Sequence, residues 1–196
     1  MKIVDYANQR RIHGIASTLC RLLPATPLKI LDVGCGDGAL AKQMMGLSPM
    51  LSFEGVEVVL PRTQLVPMRR YDGERLPFGD HSFDAVLCAD MLHHTRSPID
   101  VLKEACRVAR KYVIVKDHIC DTWIDRKILT FMDWLGNSGT GVPLPYRFLS
   151  SDDWNQVFGA LPCRPVARAD GIQYWGWPIS ALVDRQFQFL AILEKR

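Results

Sequence analysis

The chain of 196 residues contains no stretch approaching the ~18 apolar residues that would read as a membrane span. Met1-Lys2-Ile3-Val4-Asp5 lacks the apolar run of a secretory leader, so no targeting segment is expected there. None of the six cysteines (Cys20, Cys35, Cys88, Cys106, Cys120 and Cys163) belongs to a Cys-x-x-Cys pair or a Cys/His cluster with zinc spacing. No metal site is therefore expected from spacing. Net charge is only +3, and the densest basic pairs are Arg10-Arg11 and Arg69-Arg70. A nucleic-acid partner is not expected from so even a distribution. Internal repeats and low-complexity tracts are also missing. With 48% apolar residues, the chain reads as one globular domain in a reducing, cytoplasmic compartment. Its oligomeric state is not legible.

Periodicity supplies the organisation. Ile12, Ile15, Ala16, Leu19, Leu22 and Leu23 recur at helical spacing until Pro24 and Pro27, which makes residues 1–27 an N-terminal helical segment. Leu28 to Val33 reads as a buried strand, Ala39 to Met45 as a helix, and Phe53 to Val58 and Phe83 to Ala89 as further strands. Ser97-Pro98-Ile99-Asp100 predicts a helix start with a capping box. Tyr112 to Val115 is a strand, followed by a helix with Ile124, Ile128, Phe131, Met132 and Leu135 on one side. A short helix is expected from Ser151, then two strands near Arg164 to Arg168 and Gln186 to Leu193. Such alternation predicts a doubly wound, mostly parallel α/β sheet of Rossmann-like type with a C-terminal antiparallel strand.

Gly34, Gly36 and Gly38 follow the first strand and open a helix. Glycine permits the sharp turn and close ligand approach, and the helix-start amides favour a negative group. With Ala39 in the third position the loop also satisfies Gly-x-Gly-x-x-Gly/Ala, and Glu57 lies about twenty residues on, as a ribose-binding acid would. A nicotinamide or flavin enzyme therefore fits the loop by itself. Asp32 favours a different ligand. A carboxylate inside an apolar strand calls for a positive partner, which the ammonium of a methionine moiety supplies and a pyrophosphate does not. The chain also has little room for a second mononucleotide half.

Ile30-Leu31-Asp32-Val33-Gly34-Cys35-Gly36-Asp37-Gly38 closely resembles the first motif of class I S-adenosylmethionine-dependent methyltransferases. Leu76-Pro77-Phe78 and Ser82-Phe83-Asp84-Ala85-Val86 resemble its later motif, most specifically in the ubiquinone/menaquinone-methyltransferase-like, small-molecule branch. The resemblance spans roughly Leu28 to Asp117. It implies S-adenosylmethionine as cofactor and methyl transfer to a small or carrier-attached molecule at oxygen or carbon. It places Asp32 at the methionyl ammonium, and Gly34, Cys35 and Gly36 along the methionyl chain. Glu57 falls at both ribose hydroxyls, Asp72 and Gly73 at the adenine, and Ala89 and Asp90 beside the amino acid. Taken alone, Asp72 before Gly73 reads as an ordinary turn aspartate. Two departures stand out. Val108-Ala109-Arg110-Lys111-Tyr112 replaces the usual Gly-Gly turn, so a tighter turn is expected. Ala89-Asp90-Met91-Leu92 replaces the Asn/Asp-Pro-Pro-Tyr motif, which argues against DNA bases and glutamine side chains as acceptors.

Methyl transfer needs an acceptor held in line and water excluded; an oxygen acceptor can also need a base. His118, after Asp117 at the end of the fifth strand, is the candidate catalytic base, with an idle, hydrogen-bonded histidine as the competing reading. His93 and His94 read as mainly structural, with contact of one of them to substrate as the alternative. Trp134, Tyr146, Trp154, Trp175 and Trp177 concentrate in the last third. Of these, Trp134 and Trp154 are expected in the core. Residues 136–178 are expected to form a lid and acceptor pocket, with the lid at Gly136 to Pro145. An NAD-type oxidoreductase and a non-catalytic methyltransferase-like subunit are the alternatives.

Overall fold

The computed structural model describes residues 3–137, 145–172 and 187–196. Within them, α1 (Ile3–Leu22) leads into β1 (Leu28–Val33), α2 (Ala39–Leu47), β2 (Leu51–Glu57), β3 (Met68–Arg70) and β4 (Phe83–Ala89). A short 3-10 turn (Leu92–His94) precedes α3 (Pro98–Val108) and β5 (Ala109–His118). The chain continues through α4 (Trp123–Asn137), α5 (Ser151–Gly159), β6 (Cys163–Asp170) and β7 (Gln188–Lys195).

These strands form one seven-stranded sheet in the order β3-β2-β1-β4-β5-β7-β6. β1 to β5 are parallel, whereas β7 pairs antiparallel with both β5 and β6. Each inner strand is apolar on both faces because helices cover both. On one face Ile15, Leu19, Ala41 and Met44 of α1 and α2 pack on Ile30, Phe53 and Leu87. On the other, Leu102 and Ala105 of α3 and Trp154 and Phe158 of α5 pack on Leu31, Val86 and Val113. The strand order reverses between β1 and β4, which opens a crevice at their carboxyl ends.

The predicted α/β architecture is found, and α3 passes into β5 with no intervening residue, the tighter turn expected. Several local expectations are corrected. β3 went unread because Met68-Arg69-Arg70 carries no apolar pattern. Ser97 makes no side-chain cap bond; the complete capping box lies at Ser150 and Asp153, ahead of α5. On α4, Ile124, Phe131, Met132 and Trp134 are exposed, so Trp134 is not core, while Leu129 turns inward against Phe148 and Phe187. Trp154 is core, as expected. Trp175, Trp177 and most of the expected lid lie outside the described residues. No helix among the described residues is long and apolar enough to cross a membrane.

Candidate active site

After β1 the chain turns through three glycines at positive φ: Gly34 at 66°, Gly36 at 54° and Gly38 at 85°. The Gly34 and Cys35 amides both donate to the Val56 carbonyl, at 2.9 and 3.3 Å, which pins the loop to β2. A Cβ on Gly34 would lie 2.8 Å from the Met91 side chain. Gly36 has nothing within 4 Å of that position, so the loop leaves an open cradle there. Cys35 beside it is no nucleophile: burial, Asp32 and Glu57 all push its thiol far up.

Asp32 is buried, and its carboxyl makes no hydrogen bond or ion pair among the described residues. Burial, and then the neighbouring Glu57, raise its pKa to about 8. Glu57 ends β2 and grips the loop from the side. Its Oε2 accepts from the Gly36 amide at 3.0 Å and its Oε1 from the Val58 amide at 2.8 Å. Each carboxylate oxygen keeps acceptor capacity for a hydroxyl. A ligand bearing an ammonium and a hydroxylated ring therefore fits these residues, and a pyrophosphate does not.

Asp72 is exposed and forms the turn that its sequence context suggests. Its Oδ1 accepts from the Glu74 and Arg75 amides, both at 2.8 Å, and these bonds lower its pKa. Gly73 follows at φ 86°. Ala89 ends β4, and Asp90 sits just beyond it at φ 52°. Two cations that sequence reading missed converge on Asp90. Lys116, buried in β5, bonds its Oδ1, and Arg11 of α1 reaches Oδ2 at 2.6 Å. Burial opposes ionisation, but Lys116 and Arg11 win and hold the Asp90 pKa at about 2. A lone lysine in Tyr112-Val113-Ile114-Val115-Lys116 was the available signal, since a buried ammonium requires a carboxylate on a neighbouring strand.

His118 ends β5, half-buried, with its Nδ1 buried and without a hydrogen-bond partner. Burial lowers its pKa. Asp117 lies 3.4 Å from that nitrogen but is committed elsewhere. It accepts from His93 Nδ1 at 2.6 Å, from the Leu92 amide at 3.1 Å and from the His118 amide at 2.8 Å. Burial would raise the Asp117 pKa, yet the charge on His93 and these bonds hold it far below the usual range. Burial pulls His93 down, but Asp117 and then Asp133 raise it to about 10. Phe148 stacks on His93 at 5.2 Å, and the Trp154 indole donates to the His118 carbonyl at 2.9 Å. The structure thus gathers Asp32, Gly34, Cys35, Gly36 and Glu57 around the loop. It gathers Asp90, His118 and the unforeseen Arg11, Lys116 and Asp133 at the ends of β4 and β5.

Residues 31–115 match the family described as a methyltransferase domain. The tRNA U34 carboxymethyltransferase of Vibrio cholerae is 37% identical over 98 residues, covering 42% of this chain and 30% of that protein. The demethylmenaquinone methyltransferase of Thermotoga maritima is 30% identical over 97 residues, 46% of this chain and 42% of that one. The match thus spans less than half the length of either relative. Among solved structures, the magnesium protoporphyrin IX methyltransferase of Synechocystis with bound SAH superimposes over 100% of this chain and 89% of its own, with a TM-score of 0.64 at 14% identity.

Proposed function

We propose that this chain is a class I S-adenosylmethionine-dependent methyltransferase that moves the cofactor's methyl group to an oxygen or carbon of a small or carrier-attached molecule. The observation that carries the reading is the buried Asp32 carboxyl, which lies beside an open glycine cradle and has no cation paired with it among the described residues. An amino-acid ammonium neutralises it there. Glu57 takes the ribose hydroxyls, the turn at Asp72 and Gly73 borders the adenine, and Ala89 and Asp90 flank the methionyl end. When bound, the cofactor supplies a methyl group on a sulfonium already activated for displacement. The protein's work is then to orient the acceptor and keep water out. His118 stands at the carboxyl end of β5, its Nδ1 3.4 Å from Asp117 and 3.8 Å from Asp90 without a geometric hydrogen bond among the described residues, and it is our proposed acceptor of a hydroxyl proton. A carbon acceptor would not require it.

Calorimetric titration with S-adenosylmethionine and, separately, NAD tests the cofactor; binding of NAD alone would refute the reading. Release of labelled methyl groups onto phenols and quinols, with unmodified tRNA as a parallel arm, tests the acceptor. Methylation of the tRNA arm alone would replace the small molecule with a nucleic acid, as the name of the Vibrio cholerae relative suggests. Cofactor binding without turnover on any arm would favour a non-catalytic subunit.

A further inference from the structure

We propose that His93, His94 and Asp133 form an open, three-ligand site for a divalent transition-metal ion. His93 Nε2 and His94 Nε2 lie 3.6 and 3.5 Å from the same oxygen, Asp133 Oδ1. All three donor atoms fall within 4.8 Å of one another. Those separations are long for hydrogen bonds, which run about 2.7–3.2 Å. They suit donors that share one ion at about 2.0–2.2 Å, since tetrahedral bond angles then set ligand atoms roughly 3.4 Å apart. Small side-chain shifts would complete the coordination.

The surroundings are those of a metal centre rather than of a chance surface cluster. The three side chains are 4, 15 and 8% exposed. His93 gives its Nδ1 to Asp117 at 2.6 Å, which fixes the ring and aims Nε2 at the site, where a bound ion would take the place of the proton that Asp117 and Asp133 otherwise keep on the ring. A carboxylate behind a ligating histidine is the usual outer support of such centres. Asp117 is itself fixed by the Leu92 and His118 amides. His94 Nδ1 is buried without a partner, so no hydrogen bond from that atom accounts for the ring's position. An overlapping group, His93, Asp117 and His118, also lies within ligand range. It is the weaker candidate because His93 Nδ1 and Asp117 are already spent on each other.

Two imidazoles and one carboxylate select zinc, iron(II), manganese or cobalt over calcium or magnesium. Three protein ligands leave room for water or for an oxygen of a bound molecule. The His118 ring is 5.1 Å from that of His93, so such an oxygen would sit near the proposed base. Use of the ion to hold the acceptor rests on the methyl-transfer reading; binding of the ion does not.

The test uses the whole protein, stripped with chelator and titrated with cobalt(II). We expect one equivalent to bind, with the visible bands of a four- or five-coordinate ion, and to be displaced by zinc. Asp133→Asn and His94→Ala, each checked by circular dichroism, should each weaken binding at least about tenfold. His81→Ala, which alters a histidine outside the cluster, should leave binding unchanged. Failure to bind one equivalent, or equal affinity in a folded Asp133→Asn or His94→Ala protein, would overturn the site. Because the readout is the metal alone, a protein that binds cobalt but never methylates would refute only the methyl-transfer reading.

Discussion

Asp32 and Asp117 occupy matching places on the two strands that flank β4. Each is the penultimate residue of its strand, and each is buried. Their chemistry is opposite. Asp117 accepts three hydrogen bonds and stays ionised, whereas Asp32 accepts none among the described residues and its pKa rises to about 8. Burial acts in the same direction on both, so the partners decide the charge. The Asp117 carboxylate is satisfied within the protein, and the Asp32 carboxyl is completed by what binds there.

The largest expected effect removes the completed side. Asp117→Ala strands the His93 Nδ1 donor and two backbone amides in the interior, and urea unfolding should show a loss of about 3–5 kcal/mol. Asp32→Asn should cost the unliganded protein little. Its effect is on pH dependence, and the sign follows from the raised pKa. Between about pH 4, where the unfolded carboxyl titrates, and about pH 8, the native chain holds a proton that the unfolded chain has lost. The stability from this group is full below that window and falls as pH rises through it. An ammonium ligand requires the ionised carboxyl, so cofactor affinity should climb about tenfold per pH unit from roughly pH 5 to 7. Calorimetry across that range checks the slope, and Asp32→Asn should flatten it.

Glu57 links the comparison to the cofactor. Glu57→Ala should weaken S-adenosylmethionine binding by about 1–3 kcal/mol in calorimetry, as polar partners lose their acceptor. Glu57→Gln removes the like charge that helps to raise Asp32, so the pH midpoint of binding should move below that of the native protein. Unchanged affinity in a folded Glu57→Ala protein would remove this residue from the site.

The two ends also differ in how well they can be read from sequence. Asp32, the glycine loop and Glu57 lie within a single strand-turn-helix-strand unit, where periodicity and glycine spacing carry local information. The Asp117 side has no such compactness. His93 and Asp133 meet only because α4 folds back over the 3-10 turn, and Arg11 reaches Asp90 across 79 positions. β3 was missed for another reason: an edge strand of three residues with two arginines shows no burial pattern. On α4, helical spacing of apolar residues was real, but spacing records a shared side and not what covers it.

Trp134 gives the smallest expected effect and bears on that last point. It follows Asp133 on α4, yet Asp133 turns toward His93 and His94 while the indole is 51% exposed and stacks on Phe131, itself 61% exposed. Serine in its place loses a half-wet ring contact, and its helix propensity is close to that of tryptophan. Stability should therefore stay within about 0.5 kcal/mol of the native protein by urea midpoint. A loss above about 1.5 kcal/mol would mean that the indole is covered in solution. The aromatic side of α4 would then belong to a packed interface, and the contrast between a satisfied Asp117 carboxylate and an open Asp32 carboxyl would have to be redrawn.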